Sequence, residues 1–476
     1  MRRAKIVCTL GPATNTQQII NDMVLAGMSV ARINLSHGTH EDHARNYDLV
    51  RHAAHETQRG VAVLADLQGP KIRLGKFEGG RPIQLARGDK FTITTDDILG
   101  NQEICGTTYK GLPGDCKVGD ILHLNDGRVT IEVTAVTATA VETRCVNAGE
   151  LSDSKGINIP NAFVNVPALS DKDADDLRWA LRQGVDWVAL SFVRNAADYD
   201  DVQRIMDEVG IHVPVIAKIE KPQAVTHLEE IIAKFEGIMV ARGDLGVELP
   251  LEQVPLVQKR VIALARAYAK PVIVATQMLD SMEQANRPTR AEASDVANAI
   301  LDGADALMLS GETSIGEHPV LVVETMSRII EHVEQEALDQ VPGLVTHDTT
   351  VPAMALCEAA VQVAKQVSAV SLVPFTETGR SANLVAIHRP ATQITAFTTN
   401  PRTRNQLSLL WGTETFLVPP VMHTDDMVVQ VDRTLLELDR FQPNDNLVFI
   451  AGVPPGVPGT TNGMRIHRLG RGASNL

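Results

Sequence analysis

Short apolar runs alternate along the chain with stretches of helical periodicity. Eight runs rich in β-branched residues occur in the first two thirds of the sequence, at 5–10, 29–36, 61–67, 185–192, 213–220, 237–244, 271–277 and 304–311. Residues 195–209 and 252–269 carry apolar side chains at helical spacing, and Pro222 stands where a first-turn proline belongs. Glycines mark four expected helix ends, at Gly184, Gly210, Gly237 and Gly303. The pattern predicts an α/β protein built on a (β/α)8 TIM barrel, with an open doubly wound sheet as the alternative.

The third and fourth runs are separated by more than a hundred residues of different texture. From Lys76 to about Asn147 the sequence alternates in the manner of antiparallel strands, with Gly-Asp and Asp-Gly turns. We predict an inserted small β-barrel lid domain over 70–168 that hangs over the barrel mouth and can exclude water. The barrel then comprises 1–69 and 169–345. The alternation restarts after about residue 345 and predicts a separate carboxyl-terminal α/β domain over 346–476.

Composition narrows the function and the compartment. The chain carries 44 Lys and Arg against 58 Asp and Glu, a net charge of -14, and only 4% aromatic residues, so nucleic-acid binding is not expected. An anionic ligand would need a local group of cations or a metal. No run of 18 apolar residues predicts a membrane span, and the five cysteines form no Cys-x-x-Cys pair. We therefore expect a cytoplasmic protein with reduced thiols.

Polar residues end six of the eight predicted barrel strands. A strand buried in a barrel should be apolar, because an unpaired buried charge costs several kcal/mol, on the order of 3–5. Ion pairs or helix caps would explain any one of these ends, but six together indicate a site, since barrel enzymes place catalysis at the carboxyl ends of their strands. The ends are Arg32-x-Asn34-x-Ser36, Asp66, Lys218-x-Glu220, Arg242-Gly243-Asp244, Thr276-Gln277 and Ser310-Gly311-Glu312.

The chemistry of these ends favours a metal and a phosphoryl group. Glu220 and Asp244 end adjacent strands and offer the hard oxygen ligands that Mg²⁺ or Mn²⁺ prefers. Arg32 and Lys218 supply positive charge that can clamp a phosphoryl group. The turn at 242–246 has free amides that could hold a carboxylate, with a plain turn as the alternative. Neither a Walker A motif nor Gly-x-Gly-x-x-Gly is present.

A second group of polar residues follows a strand in the last domain. Residues 375–381 combine hydroxyls, a glycine and an arginine at the start of a predicted helix, which is typical of a phosphate nest. A capped helix start is the alternative. Since the loop is remote in sequence from the barrel rim, we expect a regulatory rather than a catalytic role. Its candidate effector contacts are Thr376, Glu377, Thr378, Gly379, Arg380 and Ser381.

Motifs spread over nearly the whole chain resemble the pyruvate kinase family. They are RINLSHG at 32–38, DLQGPKIR at 66–73, KGINIP at 155–160, AKIE at 217–220, MVARGDLGVE at 239–248, ATQML at 275–279, RPTRAE at 287–292, LSGET at 309–313 and TGRSA at 378–382. The resemblance implies transfer of a phosphoryl group from phosphoenolpyruvate to ADP, giving pyruvate and ATP in the last step of glycolysis. It also implies Mg²⁺ or Mn²⁺ as cofactor, a phosphorylated allosteric effector and a homotetramer.

The resemblance also implies a role for each residue that matches a family motif. Lys218 and Arg32 would contact the transferring phosphoryl group, and Glu220 and Asp244 would hold the metal. Gly243, Asp244 and Thr276 would hold the pyruvyl carboxylate, with Thr276 near the carbon that accepts the proton. Ser310 and Glu312 would either support the substrate-binding groups from behind or relay that proton. The nucleotide phosphates would meet Asn34, Leu35, Ser36, His37, Arg73 and Lys155.

Two departures from the family pattern carry expectations of their own. Lys71 stands where potassium-dependent members have glutamate, and Leu67-Gln68 replaces their Thr-Lys. A lysine ammonium can supply the charge of K⁺, so we expect activity without K⁺. The monovalent-cation site, or its replacement, would comprise Asn34, Ser36, Asp66, Leu67 and Lys71. Glu377 stands where relatives regulated by fructose bisphosphate often have lysine, which favours a monophosphorylated sugar or a nucleotide as effector.

Two rival functions share part of this pattern. A metal-dependent aldolase or lyase acting through an enolate would use the same two rim carboxylates, but it would not account for Arg73 and Lys155 on a lid. A relative that only binds a metabolite would be expected to lack Lys218, Glu220 or Asp244, and all three are present.

Overall fold

The computed structural model describes residues 2–160, 167, 169–345, 351–438, 440–457 and 459–472. The proposed end of the lid at 168 and the proposed start of the last domain at 346 lie outside the described residues. Within the part described, no helix is long and apolar enough to cross a membrane. The chain begins with three barrel strands and two helices, which are β1 (Lys5–Thr9), α1 (Gln17–Ala26), β2 (Val30–Asn34), α2 (His40–Glu56) and β3 (Ala62–Asp66).

The lid follows β3 and has its own apolar core, which includes Phe77 and Phe91. Its strands form one sheet of six and another of two. Most pairs are antiparallel, as the sequence predicts, but the strands Lys90–Thr94 and Ile104–Gly106 run parallel, which the turn pattern did not indicate. Its elements are β4 (Ile83–Leu85), β5 (Lys90–Thr94), β6 (Ile104–Gly106), α3 (Leu112–Asp115), β7 (Ile121–Leu124), β8 (Val129–Val136), β9 (Ala140–Asn147), β10 (Gly149–Leu151) and β11 (Ile157–Asn158).

The chain then returns to the barrel. The strands are β12 (Trp187–Leu190), β13 (Val215–Ile219), β14 (Gly237–Ala241), β15 (Val272–Ala275) and β16 (Ala306–Leu309). The helices are α4 (Asp171–Gln183), α5 (Asp198–Val209), α6 (Pro222–Thr226), α7 (Leu228–Lys234), α8 (Arg242–Glu248), α9 (Val254–Ala267), α10 (Arg290–Asp302), α11 (Gly311–Ser314) and α12 (Pro319–Ala337).

The eight strands close into a parallel barrel in the order β1-β16-β15-β14-β13-β12-β3-β2, which rules out the open sheet. Side chains alternate along each strand: Val7 and Ile216 lie in the barrel interior, whereas Ile6 and Val215 pack in the larger core that includes the surrounding helices. Gly184, Gly210 and Gly303 end helices with left-handed backbone as predicted. The prediction for Gly237 is wrong, because α7 ends at Lys234 and Gly237 opens β14.

The carboxyl-terminal domain is a five-stranded sheet with helices. Its elements are α13 (Pro352–Gln366), β17 (Ser371–Pro374), α14 (Arg380–Ala386), β18 (Gln393–Thr398), α15 (Pro401–Gln406), β19 (Thr413–Leu417), α16 (Thr424–Glu437), β20 (Asn446–Gly452) and β21 (Thr461–Arg468). The domain docks on the amino end of the barrel, opposite the predicted site. Leu409 belongs to the same buried cluster as the barrel interior, and the indole nitrogen of Trp187 donates to the Gln406 carbonyl at 3.2 Å.

Candidate active site

Lys218 lies near the centre of the polar rim. Because Ile216 faces the barrel interior, the period of two directs Lys218 and Glu220 to the same face, at the mouth. The Lys218 Nζ lies 3.0 Å from Glu220 Oε1 and 3.3 Å from Asp66 Oδ1, and it donates to the Ser191 hydroxyl at 2.8 Å. Burial opposes the ammonium charge, but the carboxylates of Asp66 and Glu220 outweigh burial and raise the Lys218 pKa above its ordinary value. Lys218 is therefore a fixed positive charge at neutral pH.

Arg32 reaches the same carboxylate from the neighbouring strand. Its Nε donates to Asp66 Oδ2 at 2.6 Å and its Nη1 to the Thr9 hydroxyl at 2.9 Å. Burial acts to raise the pKa of Asp66, yet the charges of Lys218 and Arg32 outweigh it and hold that pKa below the usual range. The predicted pair of rim cations is thus brought together, with Asp66 as the anion that orients both.

Glu220 and Asp244 provide the oxygens of a divalent-metal site. Glu220 is fully buried, and its Oε2 accepts from the Phe192 amide at 2.7 Å. Its Oε1 lies 3.0 Å from the Lys218 ammonium but, among the described residues, makes no hydrogen bond of good geometry. Burial raises the pKa of Glu220, and the Asp244 carboxylate adds to that rise against the pull of Lys218. Two acids that repel each other beside an oxygen with spare capacity suit a hard divalent cation.

The protein would supply only a small number of ligands to a divalent metal at this site. Within the described residues no group of three or more His, Cys, Asp or Glu side chains could hold a metal ion. Mg²⁺ commonly takes one or two carboxylates and completes its shell with water and substrate oxygens, so the pair Glu220 and Asp244 fits that mode of binding.

Thr276 follows β15 in a strained conformation. Its φ is 69°, a left-handed value that is rare for a β-branched residue, and Gln277 follows with φ 55°. The Thr276 hydroxyl accepts from the Gly243 amide at 2.8 Å, and a side chain on Gly243 would meet that hydroxyl at 3.3 Å. The structure thus joins the predicted carboxylate-binding turn to Thr276.

Arg242, to which the sequence assigned no role beyond ending a strand, braces this turn. Its Nη2 donates to the Thr276 carbonyl at 2.7 Å and its Nη1 pairs with Asp295 at 2.7 Å. Glu312 braces the next strand end: its carboxylate accepts from the Leu279 amide at 3.1 Å and from the Ser310 amide at 2.6 Å. Burial raises the pKa of Glu312. Both carboxylate oxygens of Glu312 are therefore engaged in holding backbone.

The predicted nucleotide loop follows β2 and is held by backbone bonds. The Leu35 amide donates to the Asp66 carbonyl at 3.0 Å, and the Ser36 amide donates to Asn34 Oδ1 at 3.2 Å. Lys172, on α4, donates to the Leu35 carbonyl at 2.7 Å and was not selected from sequence. A signal was present, since a lysine in the first turn of a helix opposes the helix dipole and so suggests another purpose.

The two lid residues that the sequence predicts to contact the nucleotide, Arg73 and Lys155, lie next to each other. Arg73 pairs with Gly156 across two chain segments, which places Lys155 beside it, and the Arg73 Nη1 donates to the Ser154 carbonyl at 3.1 Å. The Lys71 ammonium lies 3.9 Å from Asp126 Oδ1, also in the lid. The lid contacts the barrel where the Asn158 amide group donates to Glu248 Oε1 at 2.8 Å.

The predicted effector loop borders a cavity of about 330 Å³ in the last domain. Among its lining residues are Thr378, Arg380 and Ser381 from the loop, and Thr460 and Thr461 from the chain at the start of β21. The Thr399 hydroxyl donates to Glu377 Oε2 at 2.7 Å. Gly379 has φ 85°, and a Cβ atom at this position would lie only 3.1 Å from the Leu407 side chain. Leu407 belongs to the segment that meets the amino end of the barrel.

The fold and the rim define a barrel enzyme that transfers phosphate. Comparison with known proteins identifies the family: its profile for "Pyruvate kinase, barrel domain" matches residues 1–323, and its profile for "Pyruvate kinase, alpha/beta domain" matches 354–467. The pyruvate kinase of Corynebacterium glutamicum is 52% identical over 469 residues, covering 98% of each chain. That of Mycobacterium tuberculosis is 52% identical over 470 residues, covering 98% of this chain and 99% of the relative.

A solved structure agrees with these sequence matches. The crystal structure of a pyruvate kinase from Cryptosporidium parvum superposes with a TM-score of 0.90 at 36% identity, covering 98% of this chain and 96% of the other. The chain belongs to the pyruvate kinase family and has pyruvate kinase function. Nothing in these comparisons favours the aldolase or lyase alternative.

Proposed function

We propose that the barrel rim transfers the phosphoryl group of phosphoenolpyruvate to ADP with the residue roles predicted above. The observation that carries the proposal is the Lys218 ammonium, held by Asp66 and Glu220 within 3.3 Å and charged at neutral pH. Catalysis of phosphoryl transfer consists mainly of positioning and charge stabilisation, which an oriented lysine and Arg32 supply. The Gly243 and Asp244 amides and Thr276 would hold the pyruvyl carboxylate, with the Thr276 hydroxyl near the carbon that accepts the proton. Glu312 would keep Ser310 in place beside them.

Glu220 and Asp244 would hold Mg²⁺ or Mn²⁺. The bound cation supplies positive charge that neutralises the phosphoryl and enolate oxygens. The spare oxygen of Glu220 and the mutual repulsion of the two acids support this assignment. Asn34, Leu35, Ser36 and His37 on the barrel would meet the nucleotide phosphates, together with Arg73 and Lys155 on the lid.

We also propose that the enzyme works without K⁺ because Lys71 provides the positive charge. The Lys71 ammonium faces Asp126 at 3.9 Å in the lid, so the proposal requires it to turn toward Asn34, Ser36, Asp66 and Leu67 when substrates bind. The test measures pyruvate formed from phosphoenolpyruvate, ADP and Mg²⁺, once with K⁺ and once with only a large organic cation. Equal rates support both the kinase and Lys71. Activity with K⁺ alone contradicts the Lys71 proposal, and no pyruvate in either contradicts the residue roles.

The cavity beside residues 376–381 would take a monophosphorylated sugar or a nucleotide. Arg380 can bind one phosphate, whereas the Glu377 carboxylate disfavours a second. Titrating several sugar phosphates and nucleotides while measuring half-saturation by phosphoenolpyruvate tests this. A strong response to a sugar bisphosphate alone would overturn the charge argument, and no response to any ligand would leave the cavity without a regulatory role.

We propose a cytoplasmic homotetramer. All five cysteines are free and buried, which suits a reducing compartment. Leu251 and Leu256 are 74% and 69% exposed near the start of α9, as expected of a face that a second copy covers. Light scattering coupled to size-exclusion chromatography gives the mass, and a monomer would contradict the assembly.

A further inference from the structure

One buried carboxylate is linked to the nucleotide loop near its start and to the residue that follows its end. Asp176, on α4, is 5% exposed. Its Oδ2 lies 2.5 Å from the Lys172 ammonium, which donates in turn to the Leu35 carbonyl at 2.7 Å. Its Oδ1 lies 2.8 Å from the Nε2 of His40, the first residue of α2. Since the loop runs from Asn34 to Gly38, Asp176 is linked through Lys172 to Leu35 near its start and directly to His40 just beyond its end.

The two partners of Asp176 are more exposed than the carboxylate that they share. The Lys172 side chain is 52% exposed and that of His40 is 33% exposed, whereas the carboxylate between them is buried. The His40 ring also stacks on Trp179 of the same helix, with centroids 4.9 Å apart and planes 11° from parallel. The carboxylate and the indole together hold the imidazole in one orientation, so the beginning of α2 is fixed relative to α4.

The helix that carries Asp176 is itself anchored where the chain leaves β3 for the lid. Asp173 is completely buried, caps the helix with Ser170 and accepts from the Gly69 amide at 3.0 Å. Gly69 has φ 73°, and a side chain there would collide with Phe192 at 2.6 Å. Asp176 therefore extends from a rigid base, and its position is set by the barrel rather than by the loop.

We propose that Asp176 is a positioning residue for the nucleoside diphosphate, which acts by holding Lys172 and His40 and so keeps residues 34–38 in the shape that receives the phosphates. The inference rests on the proposed use of this loop by the nucleotide. The rim that binds phosphoenolpyruvate is held by other contacts, through Asp66, Arg242 and Glu312. Loss of Asp176 should therefore affect one substrate and spare the other.

The test compares Asp176→Asn with Asp175→Asn, which removes the same charge from an exposed neighbour on the same helix. Asp176→Asn should raise the KM for ADP about tenfold, or about 1.4 kcal/mol, and weaken equilibrium binding of Mg-ADP similarly. We expect kcat and the KM for phosphoenolpyruvate to stay within about twofold. Asp175→Asn should behave as wild type. An unchanged KM for ADP, or equal rises for both substrates, would overturn the inference.

A second variant keeps the test decisive if Asp176→Asn lowers the thermal midpoint. His40→Ala leaves Lys172 and Asp176 paired and removes one of the two tethers, so the KM for ADP should rise about threefold without a change for phosphoenolpyruvate. His40→Gln, whose amide can still donate to Asp176, should recover part of that loss. An unchanged KM for ADP in His40→Ala, or a KM in His40→Gln as high as in His40→Ala, would contradict the proposed tether. Wild-type enzyme that forms no pyruvate would instead contradict the proposed function.

Discussion

Replacing Lys218 with methionine removes the cation shared by two buried acids. Asp66 is 1% exposed and retains Arg32 as a partner, but Glu220 is fully buried and, among the described residues, retains the Phe192 amide as its one hydrogen-bond donor. Removing one partner of a buried ion pair costs about 3–5 kcal/mol, because it leaves an uncompensated charge. We therefore expect the thermal midpoint of Lys218→Met to fall by several degrees in the absence of divalent metal.

Mg²⁺ should restore much of that loss. A divalent cation held by Glu220 and Asp244 supplies the positive charge that the variant lacks, and a ligand that binds the native state stabilises it in proportion to its affinity. Mg²⁺ should thus raise the midpoint of Lys218→Met more than that of wild type. Turnover should not recover, because the charge that faces the phosphoryl group is still missing. We expect kcat to be lower by roughly 10³-fold, which corresponds to about 4 kcal/mol of lost transition-state stabilisation.

The assay combines thermal unfolding, with and without Mg²⁺, and pyruvate formation. Lys234→Met is the matched control, because Lys234 makes an exposed pair with Asp200 at 3.1 Å that should contribute less than about 1 kcal/mol. Near-normal turnover of Lys218→Met would refute the role of Lys218 in phosphoryl transfer. An equal effect of Mg²⁺ on the midpoints of variant and wild type would refute the electrostatic account of Glu220.

Three further changes test other parts of the structure. Lys71→Met should make pyruvate formation respond to K⁺ by about tenfold, because the built-in cation is lost; a variant indifferent to K⁺ would count against Lys71. Arg242→Met should lower kcat/KM for phosphoenolpyruvate by about 10²-fold and leave the KM for ADP unchanged, since it releases the Thr276 carbonyl; unaltered phosphoenolpyruvate kinetics would exclude the brace. Burial, together with Arg2, lowers the pKa of Lys5 to about 8 from 10.5, so the folded state binds that proton more weakly than the unfolded state. Wild-type stability should therefore gain up to about 3 kcal/mol as pH rises through this interval, and Lys5→Met should lack the gain; thermal midpoints that differ by a constant amount across that pH range would contradict it.

The order of elements could be predicted from sequence because it depends on local patterns. Buried parallel strands require continuous apolar runs, and left-handed helix ends favour glycine, so the eight strands and the ends at Gly184, Gly210 and Gly303 were predictable. Gly237 misled because its small size serves packing instead: a side chain there would meet Ile216 at 3.0 Å. Spacing alone does not distinguish a glycine needed for its conformation from one needed for close approach.

The rim residues were also predictable. A charged residue at the end of a buried strand is costly unless it is paired or functional, and the sequence shows where such residues stand. Closure of the barrel decided which of them meet: Asp66 lies between Arg32 and Lys218 only because β2, β3 and β13 converge at one mouth. The position of Lys172 in a first helical turn and its i,i+4 spacing from Asp176 were visible in the sequence. The contacts that give the pair its place, with the Leu35 carbonyl and with His40 on another helix, are recorded by no residue pattern. The direction of the Lys71 ammonium likewise depends on where the lid sits. Local periodicity and the cost of burying charge let the sequence determine the elements and their charged ends. Which of these charged residues pair with one another depends on the closed barrel, because their strands are far apart in sequence and meet only in the folded chain.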